Sequence, residues 1–369
     1  MKTFCFKLYR AKRNEKLNRQ INAAGLIWNH CLALHKRYYK LFGKYLHKFT
    51  LIKHLTKLKR LKKFSYLKEI GSQAVQDVTD RIDRAYRLFF NSIHRKVRCS
   101  PPKFKRVEKY KSFTLKQTGW KIEAWHNTII INNQQYRYFK SREIVGKVKT
   151  VTIKRDSVGD IFIFVVTDYA GNEVIARTGE SVGYDFGFKE KILIASDGKD
   201  ILAPSFLLSN MKALKQAANA LSKTKKKSKN RERARLKLAR IYRRANNQRK
   251  DFHWKLAKRL CSEYALICVE DLNLKGLKRR HGKKMQDYGF GMFLQILKYV
   301  AINMGTTIIQ VDKFYPSSQL CSKCGEKNPS TKDLSMRKWY CPKCGAYHDR
   351  DTNAAKNILN EGTRIFLSA

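Results

Sequence analysis

The chain has 369 residues, enough for two or three domains, and its 43% hydrophobic and 12% aromatic content excludes a disordered polymer. Lysine and arginine number 79 against 29 aspartates and glutamates, a net charge of +50. Folded domains this basic repel themselves until a polyanion neutralises them, so nucleic acid is the expected partner; with no long apolar run and no secretory signal, the expected setting is cytoplasmic, away from any membrane.

Thr3–Tyr9 alternates as a strand with Phe4, Phe6 and Leu8 on one face. Residues 12–48 predict a helix, because Leu17, Ile21, Ala24, Trp28, Cys31, Leu32, His35, Tyr38 and Tyr39 recur at three- and four-residue steps. A basic stretch, Lys53–Lys68, follows. Ser72 then opens a second amphipathic helix, with Val75, Val78, Ile82, Ala85, Leu88, Phe89 and Ile93 as its apolar stripe. Cys99–Arg106 contains Pro101-Pro102 and predicts an extended basic-aromatic segment. Short strands are expected over Ser112–Lys116, Thr128–Ile131, Tyr136–Phe139, Val148–Lys154 and Asp160–Thr167, as a small β-barrel or sandwich to which Thr3–Tyr9 adds a strand. Trp120, Trp125, Tyr136 and Tyr138 are expected in its core, with stacking on bases as the alternative.

From Gly179 the texture changes. Ser181–Phe188 reads as a strand carrying Asp185, and Lys191–Ala195 as a second. Residues 208–263 read as a long helical region interrupted by Lys223–Lys229. Its later part carries Ala234, Leu238, Ile241, Ala245, Phe252, Leu256 and Leu260 at nearly heptad spacing, which suits a coiled coil or, given the flanking cations, a helical hairpin along nucleic acid. Tyr264–Leu272 is a buried strand ending in Glu270 and Asp271. The helix Phe293–Met304 and the strand Thr306–Val311 then complete a βαβ pattern.

Two Cys-x-x-Cys knuckles follow, Cys321/Cys324 and Cys341/Cys344, with sixteen residues between them and a glycine after each. This spacing predicts four thiolates closing a tetrahedron around one structural Zn²⁺, and disulfides are disfavoured in a chain without a secretory signal. The knuckles lead into Asp349 and Asp351 at the start of a helix, where an acid is ordinarily a cap. Three acids thus share a position type: Asp185 and Glu270 at strand ends, and Asp351 at a helix start. Strand ends converge on one edge of an open α/β sheet, so the three can meet. Together they would hold Mg²⁺, and two such ions ~3.5–4 Å apart serve phosphodiester cleavage.

Gly183-Tyr-Asp185-Phe-Gly187, Val269-Glu270-Asp-Leu-Asn273, Tyr315-Pro-Ser-Ser-Gln-Leu-Cys321-Ser-Lys-Cys324-Gly325 and His348-Asp-Arg-Asp351-Thr-Asn-Ala-Ala355 resemble, in order, the motifs of the transposon-encoded TnpB family, as does Asn246–His253. The likeness is specific from about Gly183 to Leu359. It implies an α/β and α+β multidomain protein: an RNase H-like RuvC nuclease domain over 179–314 and 346–369, a zinc ribbon over 315–345, a wedge-like β-barrel over 1–10 and 99–178, and an inserted helical recognition bundle over 11–98. It implies a nucleoid-associated prokaryotic enzyme that uses a guide RNA from the transposon end to cleave double-stranded DNA beside a short adjacent motif; the oligomeric state stays open in the sequence, with a monomer favoured over an oligomer. Asp185, Glu270 and Asp351 become the catalytic metal ligands, with Asp349 the rival for the third place. Tyr184 and Phe186 depart from the aliphatic residues commoner beside the first acid. A DNA-binding repressor without cleavage, or a strand-transfer transposase, is the competing expectation.

Overall fold

Apolar residues alternating along Lys2–Lys7 and Ile161–Thr167 put one face of each strand into a core and the other toward solvent. The computed structural model describes residues 1–171, 174–273, 276, 282, 284–333 and 335–368, which fall into two units, Met1–Gly171 and Asn172–Ala369.

In the first unit β1 (Lys2–Lys7), β2 (Ser112–Leu115), β6 (Val148–Arg155) and β7 (Ile161–Thr167) form an antiparallel sheet of order β1-β7-β6-β2. A second sheet holds β3 (Trp120–Glu123), β4 (Thr128–Ile131) and β5 (Gln134–Arg137). Three helices, α1 (Asn14–Phe42), α2 (Lys48–Leu58) and α3 (Ser72–His94), share one core with both sheets. The expected helix over 12–48 is interrupted: Gly43, at φ 64°, caps α1 by donating its N–H to Tyr39 O, and α2 begins at Lys48 and runs into the segment expected only to be basic. Tyr39, Leu88 and Ile93 are exposed, because α1 and α3 outrun the core that their stripes serve. Tyr136 and Tyr138 are buried as expected, whereas Trp125 is 97% exposed in the turn between β3 and β4. The basic-aromatic segment is pinned along α1. Asn29 exchanges hydrogen bonds with the Lys105 backbone at 2.7 and 2.9 Å, and Lys105 Nζ sits 3.7 Å from the centre of the Trp28 ring.

The second unit is built on a five-stranded sheet of order β10-β9-β8-β11-β12, comprising β8 (Ser181–Phe186), β9 (Lys191–Ala195), β10 (Ile201–Leu202), β11 (Leu266–Glu270) and β12 (Thr307–Val311). β8, β11 and β12 run parallel, and β9 is antiparallel to β8. Helices α4 (Met211–Ser222) and α5 (Lys229–Glu263) make a hairpin that breaks at the lysine run. Ser228 caps α5, and Arg231 donates to Leu221 O and Thr224 O across the turn. Ala234, Leu238 and Ile241 are half-buried, while Ala245, Leu256 and Leu260 are buried. The later part of α5 and α6 (Phe290–Met304) cover one face of the sheet through Val182, Tyr184, Ile267, Val269, Leu260 and Phe293. The C-terminal helix α7 (Arg350–Leu367) covers the other face through Cys268, Leu266 and Ile358. Among the described residues no helix is long and apolar enough to cross a membrane.

Candidate active site and metal centre

The period-two alternation that buries Val182, Tyr184 and Phe186 against α5 and α6 turns Gly183 and Asp185 to the α7 face. The same alternation in β11 buries Ile267 and Val269 on one side and leaves Leu266, Cys268 and Glu270 on the other. The two strands pair in parallel with Cys268 beside Gly183 and Val269 beside Tyr184, so the next position in register sets Glu270 beside Asp185. Two carboxylates therefore stand at the C-terminal ends of adjacent strands on one face.

Helix α7 brings the third. Its approach to the sheet requires glycine at two contacts. A Cβ on Gly183 would lie 2.2 Å from Ala355 O, and one on Gly362 would lie 2.3 Å from Cys268 Sγ. With side chains absent there, the helix lies directly on β8 and β11, and its first turn faces the acidic strand ends. A cavity of about 1210 Å³ is lined by Asp185, Glu270, Asp349 and Asp351 together with Lys189, Lys191, Lys284, Lys313 and Arg337. Burial, then the Glu270 and Asp351 carboxylates, push the Asp185 carboxyl up to about 8. Burial, then Asp271, pushes Glu270 upward as well. Like charges crowded in this way are relieved by a cation, and an all-oxygen donor set suits a hard divalent ion.

Backbone geometry separates the two rival acids. Asp349 is the N-cap of α7: its Oδ1 accepts from the N–H groups of Asp351 and Thr352, each at 3.1 Å. Asp351 makes no such bond; its carboxylate lies 3.4 Å from Arg337 Nη1. The capping that the sequence suggested for Asp351 thus falls to Asp349. Among the described residues the four cysteines alone bring three or more His, Cys, Asp or Glu side chains close enough to share an ion, and the three carboxylates share a cavity wall without closing into such a cluster.

Cys321, Cys324, Cys341 and Cys344 place their sulfurs within 4.8 Å of one another, with the pairs 321/344 and 324/341 at 3.6 Å. Tetrahedral zinc with Zn–S bonds of ~2.3 Å needs sulfur separations of about 3.8 Å, so the four thiols fit that ion. Each knuckle closes through a glycine N–H on the first cysteine's carbonyl, Gly325 to Cys321 O and Gly345 to Cys341 O. The first knuckle is stapled to α7. Asn353 Oδ1 accepts from Ser322 N at 2.9 Å, Asn353 Nδ2 donates to Leu320 O at 2.7 Å, and Asn357 Nδ2 donates to Leu320 O and Ser317 O at 2.6 and 2.8 Å. His348 and Asn353 fall inside the His348–Ala355 motif, which gave neither a contact, and Asn357 and Arg337 did not stand out in the sequence. Their partners are loop carbonyls, a distant acid and a thiol, and no spacing rule announces such contacts.

Fold and site together define a mixed helix–sheet protein with an acidic cavity at the strand ends and a four-cysteine ribbon fastened to its last helix. Residues 164–281 match a family model described as "Probable transposase" (OrfB_IS605), and residues 290–358 match one described as "Cas12f1-like, TNB domain". The two matches support the resemblance to the TnpB family that the motifs carry. A Streptomyces pristinaespiralis protein named "Putative RNA-guided DNA endonuclease" is 28% identical over 313 residues, 84% of this chain and 76% of that protein. The Escherichia coli (strain K12) protein "Putative RNA-guided DNA endonuclease InsQ" is 26% identical over 384 residues, 99% of this chain and 93% of its own. The fold is shared with the solved structure titled "Cryo-EM structure of the Cas12f1-sgRNA-target DNA complex", at TM-score 0.56 and 14% identity over 95% of this chain and 83% of that one.

Proposed function

We propose that this chain is a transposon-associated RNA-guided DNA endonuclease whose hydrolytic centre is Asp185, Glu270 and Asp351. The observation that carries the reading is the placement of Glu270 level with Asp185 on adjacent parallel strands, under the first turn of the helix that holds Asp351. That sheet, with three parallel strands and an antiparallel second strand, supports an RNase H-like RuvC domain over 179–314 and 346–369, with the ribbon at 315–345. The wedge-like barrel over 1–10 and 99–178 and the recognition bundle over 11–98 belong to the same reading, as do a monomeric state and a cytoplasmic, nucleoid-associated setting.

The three acids would hold Mg²⁺, as two ions, which when bound activates water and stabilises the leaving oxygen of a phosphodiester. The chain's own groups do the remaining work. Lys189, Lys191, Lys284 and Lys313 line the cavity and neutralise a phosphate backbone as it enters. Arg337 holds the Asp351 carboxylate in the wall, and Asp349 fixes the first turn from which it projects. Four thiolates leave zinc no open position, so the ribbon is structural and its task is to place α7.

The test is to purify the chain with RNA expressed from its native locus and to present double-stranded DNA matching that RNA. Magnesium-dependent cleavage by a chain carrying one defined RNA is the expected result. A chain that carries no RNA, or that cuts without reference to it, would overturn the RNA-guided reading.

A further inference from the structure

Among the described residues, one side chain outside the four cysteines is within hydrogen-bond reach of the ribbon's sulfurs. His348 lies on β14 (Tyr347–Asp349), which pairs with β13 (Lys338–Tyr340) so that Trp339 stands opposite His348. The two rings pack with centroids 4.8 Å apart, which fixes the imidazole plane, and both residues are buried. In that orientation His348 Nε2 lies 3.1 Å from Cys321 Sγ. The atoms that all lie within 4.8 Å of one another are the four sulfurs alone, so the histidine touches one corner of the tetrahedron from outside.

We infer that His348 is a positioning residue for the metal centre, donating its Nε2–H to the Cys321 thiolate and thereby setting how firmly that sulfur holds zinc. The inference rests on the zinc reading of the four cysteines. A metal-bound thiolate has no proton to give, so it can only accept, and the contact requires the Nε2–H tautomer of the ring. Four thiolates around Zn²⁺ carry two more negative charges than the ion neutralises, and Cys321 is 1% exposed, so water cannot take up that charge. An N–H directed at the sulfur disperses it, lowers the sulfur's nucleophilicity and slows its protonation and escape from the metal. The same bond ties the first knuckle to the strand that ends at Asp349, the cap of α7. Residue 348 therefore gives the first knuckle a tie to the helix start separate from the Asn353 and Asn357 staple.

The experiment uses zinc-loaded full-length chain and the variants His348→Phe, His348→Gln and His348→Asn. Phenylalanine keeps a ring against Trp339 without a donor, glutamine keeps an N–H of similar reach, and asparagine keeps the amide but falls short of the sulfur. Two readouts are taken: the rate of zinc transfer to a colorimetric chelator, and the labelling of Cys321 by iodoacetamide relative to Cys341, which is equally buried at 2%. The expected result is zinc loss about ten- to hundredfold faster in the Phe and Asn variants, with Cys321 gaining on Cys341, and near-native behaviour with Gln. If the Phe variant fails to fold, the Gln–Asn pair carries the same contrast. Equal zinc loss from Gln and Asn, or an unchanged Cys321 to Cys341 ratio in Asn, would overturn the role of His348 and leave the zinc site standing. A wild-type chain that binds no zinc would overturn the zinc reading, and this inference with it.

Discussion

Replacing Asn353 and Asn357 separately and together tests how the ribbon places α7, the helix that carries Asp351. Asn353→Ala leaves the Ser322 N–H without its acceptor, while Leu320 O keeps the bond from Asn357. Asn357→Ala strips Ser317 O, while Leu320 O keeps Asn353. Each single change therefore orphans one backbone group beside a nearly buried amide, a cost of about 1–3 kcal/mol. Only the double variant leaves Leu320 O bare, so its cost should exceed the sum of the singles by about 1–2 kcal/mol. Because the knuckle and Asp351 are joined through this helix turn, a shift of ~1 Å in the acid should lower single-turnover cleavage by roughly a hundredfold. Hydrogen exchange at the first-turn amides of α7 measures the loosening, and single-turnover cleavage with guide and target bound measures its consequence. Strictly additive protection losses, or a double variant that cuts at the native rate, would refute the staple as the coupling element.

Cys341→Ser or Cys344→Ser should lower zinc to below one per chain and cleavage strongly, with no rescue by added Mg²⁺; normal guided cleavage by a zinc-free Cys344→Ser chain would make the ribbon a separate module. Binding to nucleic acid should weaken steeply with salt, and a plot of log K against log salt with zero slope would contradict the electrostatic account. Burial holds the His35 and His253 imidazoles down to about 4, against an ordinary value of 6.5. As pH falls through this window the unfolded chain takes up protons that the folded chain refuses, so stability is full above pH ~6.5 and drops toward pH 4 by roughly 2–3 kcal/mol per histidine. Urea midpoints measured from pH 7 to pH 4.5 check this, and His35→Phe, which keeps ring packing against Tyr45 and Tyr86, should flatten part of the loss. An unchanged acid slope in that variant would contradict the assignment.

The parts of the site legible in the sequence are those that a local rule governs. A strand run ending in Glu270 and a Gly-Tyr-Asp strand are visible as types, and two Cys-x-x-Cys pairs announce a tetrahedral ligand set before any fold is known. What was not legible depends on where chains cross. The level pairing of Asp185 with Glu270 is a matter of register, and the seating of α7 turns on two glycines, Gly183 and Gly362, whose partners lie far away in sequence. That Asp349 rather than Asp351 caps the helix needed the backbone path at its start, because either acid could have done so. Gly43 ended α1 inside an otherwise unbroken apolar periodicity, and Trp125 left the core because a turn, rather than a strand, carries it.

The central claim is that the three carboxylates cut DNA and do not merely line a binding cleft. Cleavage and binding of guide-matched double-stranded DNA by Asp185→Ala, measured side by side with the native chain, tests it most directly. The account predicts that cutting is abolished while the affinity for guide and target is held or slightly raised, since removing a carboxylate takes away a repulsion and no phosphate contact. Native-rate cutting by Asp185→Ala, or loss of binding in step with loss of cutting, would contradict it.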